Sequence, residues 1–230
     1  MQAIGFNEKY CLQTAVIKRI KTNTRRLEKG LENLKEGYFH FFKERNEVVL
    51  YGEKRTPIEI IRPRYKIGEV VAIRQSYSEV YNELFGDVAH IDNDRTLELH
   101  MSYILMEAQK DTIAGWTNKM FIKPDLMIHH IRITDNKVER LQDISDKDCF
   151  AEGVEEDHPY YWIWTDQDNP NFREIGYELS DVYKHNDGKM YPHFWDSPQK
   201  AFAHLIDKVS KKGTWERNPF VLAYSFELID

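Results

Sequence analysis

Seven short runs rich in β-branched and aromatic residues punctuate this chain, most of them bounded by glycine or proline. They are AIGF (3–6), EVVLYG (47–52), IEIIR (58–62), PRYKIGEVVAIRQSY (63–77), LMIHHIRIT (126–134), KVERLQDI (137–144) and PFVLAYSFELI (219–229). Such runs read as strands, and Asp135-Asn136 reads as the turn that pairs the fifth with the sixth. Fewer stretches carry helical periodicity. Leu12, Ala15, Val16 and Ile20 place one buried stripe on a helix over 11–20. TLELHMSYILMEAQK (96–110) turns Leu97, Met101, Ile104, Leu105 and Ala108 to one side. Ser145 with Asp148 three residues on opens a short helix that Gly153 closes. Ser197 and Pro198 open another, with Ala201, Phe202, Leu205, Ile206 and Val209 as its stripe. Strands outnumber helices, so the expected class is α+β: a small mixed β-barrel with helices across its openings, plus helical and loop insertions.

Composition sets the outer limits. The chain has 230 residues, 41% hydrophobic and 13% aromatic, enough to bury a core as one domain over 1–230 with insertions at about 28–60, 78–115 and 154–194. No apolar run approaches the roughly 18 residues of a membrane span, and MQAIGFNEKY lacks the basic-then-apolar layout of a secretory leader. Cys11 and Cys149 stand far apart without CxxC spacing, which argues for a reducing, cytoplasmic setting and against a cysteine-rich metal site. The net charge of −6 hides an asymmetry: residues 1–75 hold 16 Lys/Arg against 9 Asp/Glu, and residues 76–230 hold 16 against 29. An acidic whole does not favour duplex DNA. A local basic pocket for a nucleotide or a short single strand remains compatible with it.

The basic excess concentrates in KRIKTNTRR (18–26), where Lys18, Arg19, Lys21, Arg25 and Arg26 surround two threonines after the first helix. With GEVVAIRQSY (68–77), RITDNKVERLQDISDKDCFAEG (132–153) and TWERNPFVLAYSFELI (214–229), this segment resembles the ASCH domain family, whose fold is a PUA-like barrel. The likeness is to the long phage- and prophage-encoded members. Two positions depart from their pattern: Arg19 stands where the first motif opens with glycine, and Gln75 where an acid follows the strand arginine.

The resemblance implies a nucleic-acid or nucleoside binding module, with RNA or a modified nucleoside in a basic cleft. Lys21, Arg25, Arg26, Arg74, Gln75 and Lys119 would hold the ligand, and Tyr77 or Trp116 would stack a base. Small ASCH-like proteins hydrolyse the amide of N4-acetylated cytidine with a Lys, Thr and Glu trio, onto which Lys21, Thr24 and Glu152 fall. Chemically, a lysine with a lowered pKa can activate a threonine hydroxyl, and a carboxylic acid can protonate a departing amine. This gives an amidohydrolase as the alternative to pure binding. A third reading makes the acidic, aromatic stretch 154–194, taken as an insertion or long loop, a surface for a protein partner. No cofactor and no metal is expected: His129 and His130 are adjacent on a strand and point to opposite faces. His90 and Asp92 share a face without a further ligand at recognisable spacing, and His158, His185 and His193 in the acidic stretch are the one place where a metal site is conceivable.

Overall fold

The structure is a computed structural model that describes residues 1–35, 38–86, 94–157, 159–179, 181–184, 188 and 190–230. In chain order its elements are β1 (Gln2–Ile4), α1 (Leu12–Ile17), β2 (Asn23–Arg26), β3 (Phe39–Phe42), β4 (Glu47–Tyr51), β5 (Pro57–Ile61) and β6 (Val70–Ile73). There follow α2 (Tyr77–Phe85), α3 (Asp94–Glu107), β7 (His130–Arg140), α4 (Asp146–Ala151), β8 (Val154–Asp157) and β9 (Tyr160–Ile163). The last elements are α5 (Phe172–Glu178), β10 (Asp181–Lys184), β11 (Met190–His193), α6 (Pro198–Val209), α7 (Thr214–Arg217) and β12 (Phe220–Leu228). The fold is mixed α+β, and among the described residues its sheets do not close into a barrel. Strand β2 ends its sheet as an edge, hydrogen-bonded to β12 alone, where a closed ring would need a second partner. Backbone packing gathers the chain into two compact units. Unit 1 comprises Met1–Phe6, Val70–Ile131 and Ile229–Asp230; unit 2 comprises Asn7–Glu69 and Arg132–Leu228. No helix among the described residues is long and apolar enough to cross a membrane.

In unit 2, β12 runs beside β7 and pairs antiparallel with β2, matching Thr24 to Tyr224 and Arg25 to Ala223. Helix α6 starts as its sequence dictates: Ser197 caps it, Pro198 occupies the first turn, and Ala201, Phe202, Leu205 and Ile206 are buried. Burying each large side chain of that stripe contributes about 1.5–3 kcal/mol. Strands β3, β4 and β5 form a separate antiparallel sheet whose inner residues Val48 and Leu50 are buried.

Two sequence expectations in this unit change. The turn at Asp135-Asn136 does not form, and β7 runs unbroken through it. Asn136 is buried and donates its amide to Asn46 Oδ1 at 2.9 Å, while Asn46 holds the carbonyls of Pro63 and Tyr65. These side-chain bonds give the Asn-rich spot a reason to stay extended. Nor is 154–194 one long loop: it holds the β8–β9 and β10–β11 hairpins and α5. Its acidic and aromatic residues meet across β8–β9, where Glu155 accepts from Trp162 Nε1 at 2.8 Å and Glu156 from the Tyr161 hydroxyl at 3.2 Å.

Unit 1 is built on β1 and β6, paired in parallel with Ile4 opposite Ile73. Ser76 and Glu79 form a reciprocal capping box at the start of α2. Ala3, Ala72, Tyr77, Val80, Tyr103 and Met127 make its core, flanked by Leu99, Met106 and Trp116. Helix α3 is therefore rotated from the expected stripe. Its core face is Leu99, Tyr103 and Met106, and Met101 and Leu105 are 51% and 62% exposed. Tyr103 decides this orientation: its ring is fully buried and its hydroxyl donates to Leu126 O at 2.5 Å.

Candidate functional site

The site of unit 2 begins where α1 stops. Arg19 has φ of 61°, in the left-handed region that disfavours a Cβ by roughly 1–2 kcal/mol. A glycine would take this conformation without that penalty. Here the arginine takes it and donates from Nη1 to Leu228 O at 2.8 Å. Both Ile20 N and Lys21 N then return to the Ala15 carbonyl, at 2.8 and 3.0 Å. The chain turns sharply, and Lys21 is delivered into the interior with 3% of its surface exposed.

Strand β2 follows, and its alternation sorts the next four side chains. Asn23 and Arg25 face α4, while Thr24 and Arg26 take the opposite face. Arg25 is the hub, with a wholly buried side chain. Its Nε donates to Glu139 Oε1 at 2.9 Å, its Nη2 to Asp148 Oδ2 at 2.9 Å and its Nη1 to Glu152 Oε1 at 3.1 Å. The guanidinium lies 5.8 Å from the centre of the Phe202 ring. Lys21 Nζ donates to the other oxygen of Glu152, Oε2, and to the Glu152 carbonyl at 3.1 Å. Lys137 Nζ closes the group, donating to Asp148 Oδ2 at 2.7 Å and pairing with Glu139 Oε2 at 2.9 Å. Three cations thus meet three carboxylates.

Local sequence explains the placement of the acids. Asp148 and Glu152 stand four apart, so the α4 turn lines them up on one side, and Gly153, at φ of 102°, ends the helix just after Glu152. Lys137 and Glu139 stand two apart on β7 and share a face. Burial lowers the pKa of Lys21; the Glu152 carboxylate opposes this, while Arg26 and Arg25 add to it, and the balance is downward. Burial also lowers that of Arg26 despite the nearby Tyr65, Glu152, Tyr224 and Glu28. The Cys149 thiol, buried beside the network, is pushed up to about 12, which removes it as a nucleophile at neutral pH.

Of the expected catalytic trio, Lys21 and Glu152 are in contact. Thr24 is 7% exposed, and among the described residues its hydroxyl makes no hydrogen bond. The expected Lys21–Thr24 bond is absent because Glu152 captures the ammonium. Lys21 and Arg25 are not open phosphate contacts, since buried carboxylates occupy both. Glu139 and Lys137 escaped the sequence reading, and Asp148 counted there only as a helix-opening residue. Their signal was the i, i+2 spacing of a lysine and a glutamate on one strand.

The remaining candidates belong to unit 1. Arg74 follows β6, its guanidinium 3.6 Å from Met120 Sδ. Gln75 is buried and donates to Glu83 Oε2 at 2.9 Å. Tyr77 is no stacking platform: it is 3% exposed in the core, with its hydroxyl accepting from Lys123 N at 2.8 Å. Trp116 packs on Tyr81, and Lys119 pairs with Glu79 at 2.8 Å. His129 engages Glu83 at 2.5 Å and His130 engages Asp230 at 2.6 Å. Among the described residues no group of three or more metal-binding side chains converges. His90, Asp92, His158 and His185 lie outside the described residues, as does the side chain of His193.

Comparison with protein-family models, with curated proteins and with solved structures finds no match for this chain.

Proposed function

We propose that the protein is an ASCH-type amidohydrolase that removes an acyl group from the exocyclic amine of a nucleobase, as in N4-acetylcytidine. The buried contact between Lys21 and Glu152, residues 131 apart in sequence, carries this reading. A phosphate clamp built on the same segment is not favoured, because Lys21 and Arg25 are already matched by carboxylates in a water-poor interior.

Burial lowers the pKa of Lys21, which favours the free amine that can accept a proton, and the Glu152 carboxyl group lies against it. Two proton-transfer groups therefore meet in one buried place. With substrate bound, the Thr24 hydroxyl, which does not touch Lys21 in the free protein, attacks the acyl carbonyl and passes its proton to Lys21 through a bridging water. The C–N bond breaks as Glu152 protonates the departing amine. Water then hydrolyses the threonyl ester, releasing the carboxylic acid and restoring the hydroxyl. Arg25, anchored by Glu139 and Asp148, fixes Glu152 through Oε1 and leaves Oε2 to Lys21. It is a positioning residue.

Incubation with N4-acetylcytidine, read by chromatography, should yield cytidine and acetate in equal amounts. Lys21→Ala, Thr24→Ala and Glu152→Gln should each lower turnover by about 100-fold or more, and Thr24→Ser should retain activity. Circular dichroism of each variant separates lost chemistry from lost folding. No cytidine above the buffer background at high protein concentration would overturn the proposal.

A further inference from the structure

The outer face of the β3–β4–β5 sheet carries rings and cations that the Lys21 site does not use. Register sets which residues share it. His40 lies opposite Val49 and Phe42 opposite Glu47, so these four point one way. Phe39 and Phe41 point the other way, Phe39 reaching Phe220 with ring centres 5.0 Å apart. On β5, Ile60 lies opposite Val49 and joins the outer face with Ile58; they are 47% and 67% exposed.

The rings on this face are organised. His40 and Phe42 meet edge-on at 4.4 Å, and the Arg45 guanidinium lies 4.1 Å from the centre of the Phe42 ring. Where β3 begins and β4 ends, an open cavity of about 620 Å³ is lined by residues of the outer face, Tyr38, His40 and Tyr51, by Phe39 of the other face, and by Glu53 and Arg55 of the following turn. That volume falls within the roughly 300–1,000 Å³ of small-ligand pockets. The tight turn from Gly52 to Thr56 presents Arg55 at its rim, with φ of 55° and its amide donating to Gly52 O at 2.8 Å. Among the described residues neither Lys54 nor Arg55 has a carboxylate partner. Residues 38–66 hold seven Lys/Arg against four Asp/Glu, a local +3 in a chain of net charge −6.

We infer that this face binds a short single strand of nucleic acid. One base enters the cavity between Tyr38 and Tyr51, and the backbone passes the Lys54–Arg55 turn. Exposed rings stack bases of any sequence, provided those bases are not already stacked in a duplex. The surplus cations supply the phosphate attraction. A purely apolar partner would account for Ile58 and Ile60 but leave the unmatched cations unexplained. The inference does not depend on hydrolysis at Thr24, and the two can fail separately.

Fluorescence anisotropy of a labelled oligouridylate of about twelve nucleotides tests it, within the ~4–16 nucleotides that one such surface covers. A duplex of the same length serves as comparison. The single strand should bind more tightly than the duplex, and more weakly as salt rises. Tyr51→Ala should weaken binding about tenfold. Tyr51 is partly buried, so Arg55→Glu, at an exposed turn, provides a second reading that leaves the sheet intact. It should weaken binding and flatten the salt dependence by about 0.7 or more in logarithmic slope. Turnover of N4-acetylcytidine, where measurable, should be unchanged in Arg55→Glu. Absence of binding by the native protein, equal affinity for duplex, or unchanged affinity in both variants would overturn the inference.

Discussion

Residues 18–26 contain five cations and no acid, and residues 43–66 contain seven cations and four acids. In the first segment Lys21 and Arg25 turn inward and meet Glu139, Asp148 and Glu152, which are more than 110 residues away in sequence. In the second, Arg45 and Arg62 share the nearby Glu47, and Arg45 lies over an aromatic ring. The difference lies in what solvent would otherwise do. A buried cation loses several kcal/mol of hydration and must be matched by well-placed carboxylates. An exposed one keeps its water and can remain open to a ligand. Basic residues in a sequence therefore indicate charge supply, and their burial decides whether that charge is structural or available.

Removing the hub gives the largest expected effect. Arg25→Ala leaves Glu139, Asp148 and Glu152 with an uncompensated charge in a buried place, which costs about 3–5 kcal/mol. Arg62→Ala breaks a pair in which the arginine is 71% exposed and should cost about 1 kcal/mol or less. Urea denaturation of both variants reads the contrast. Similar losses would show that the two segments differ in appearance only.

Acidity probes the same network with a middle-sized effect. Burial raises the Asp148 pKa, but Lys137 and Arg25 outweigh it and hold the carboxyl below its ordinary 3.8. A group whose folded value is depressed contributes stability above its unfolded value. That contribution is lost as pH falls from about 3.8 through the lower folded value. Urea midpoints measured between neutral pH and acid should therefore fall in that window. In Lys137→Met the depression shrinks, and the Asp148 contribution at neutral pH becomes smaller. A native and a Lys137→Met profile that superimpose would remove Lys137 from the network.

The elements that sequence reading captured are those whose signal is local. Ser197-Pro198 opens α6, Ser145 opens α4 and Val70–Ile73 forms β6, because capping residues and β-branched runs act within a few residues. The Lys21–Glu152 pairing joins residues 131 apart, and nothing local to either residue encodes it. Elsewhere, partners beyond the reach of local pattern rules decided the outcome. Asn46 straightened the chain at Asn136, Tyr103 rotated α3, and cross-strand Glu155–Trp162 contacts ordered a stretch that looked aperiodic. Arg19 is instructive because a residue with a Cβ takes the left-handed conformation at the turn. A remote carbonyl, Leu228 O, compensates for the strain.

The smallest expected effect sharpens the comparison most, because it asks whether the outer face of the β3–β4–β5 sheet is structurally idle. Arg45 lies over Phe42 and approaches Glu47 Oε2 at 3.7 Å, with its side chain 58% exposed. An exposed cation–ring contact contributes about 0.5–1 kcal/mol, and a solvated ion pair of this kind adds little. Arg45→Ala should therefore lower stability by about 1 kcal/mol or less, while Arg45→Met, which keeps an apolar stem against the ring, should lose still less. Loss of the fold in Arg45→Ala would mean that this arginine is as structural as Arg25. A near-neutral result leaves the residue's position over the ring without a folding purpose, and a solvent-facing ring stack with no folding purpose is a surface kept for something outside the chain.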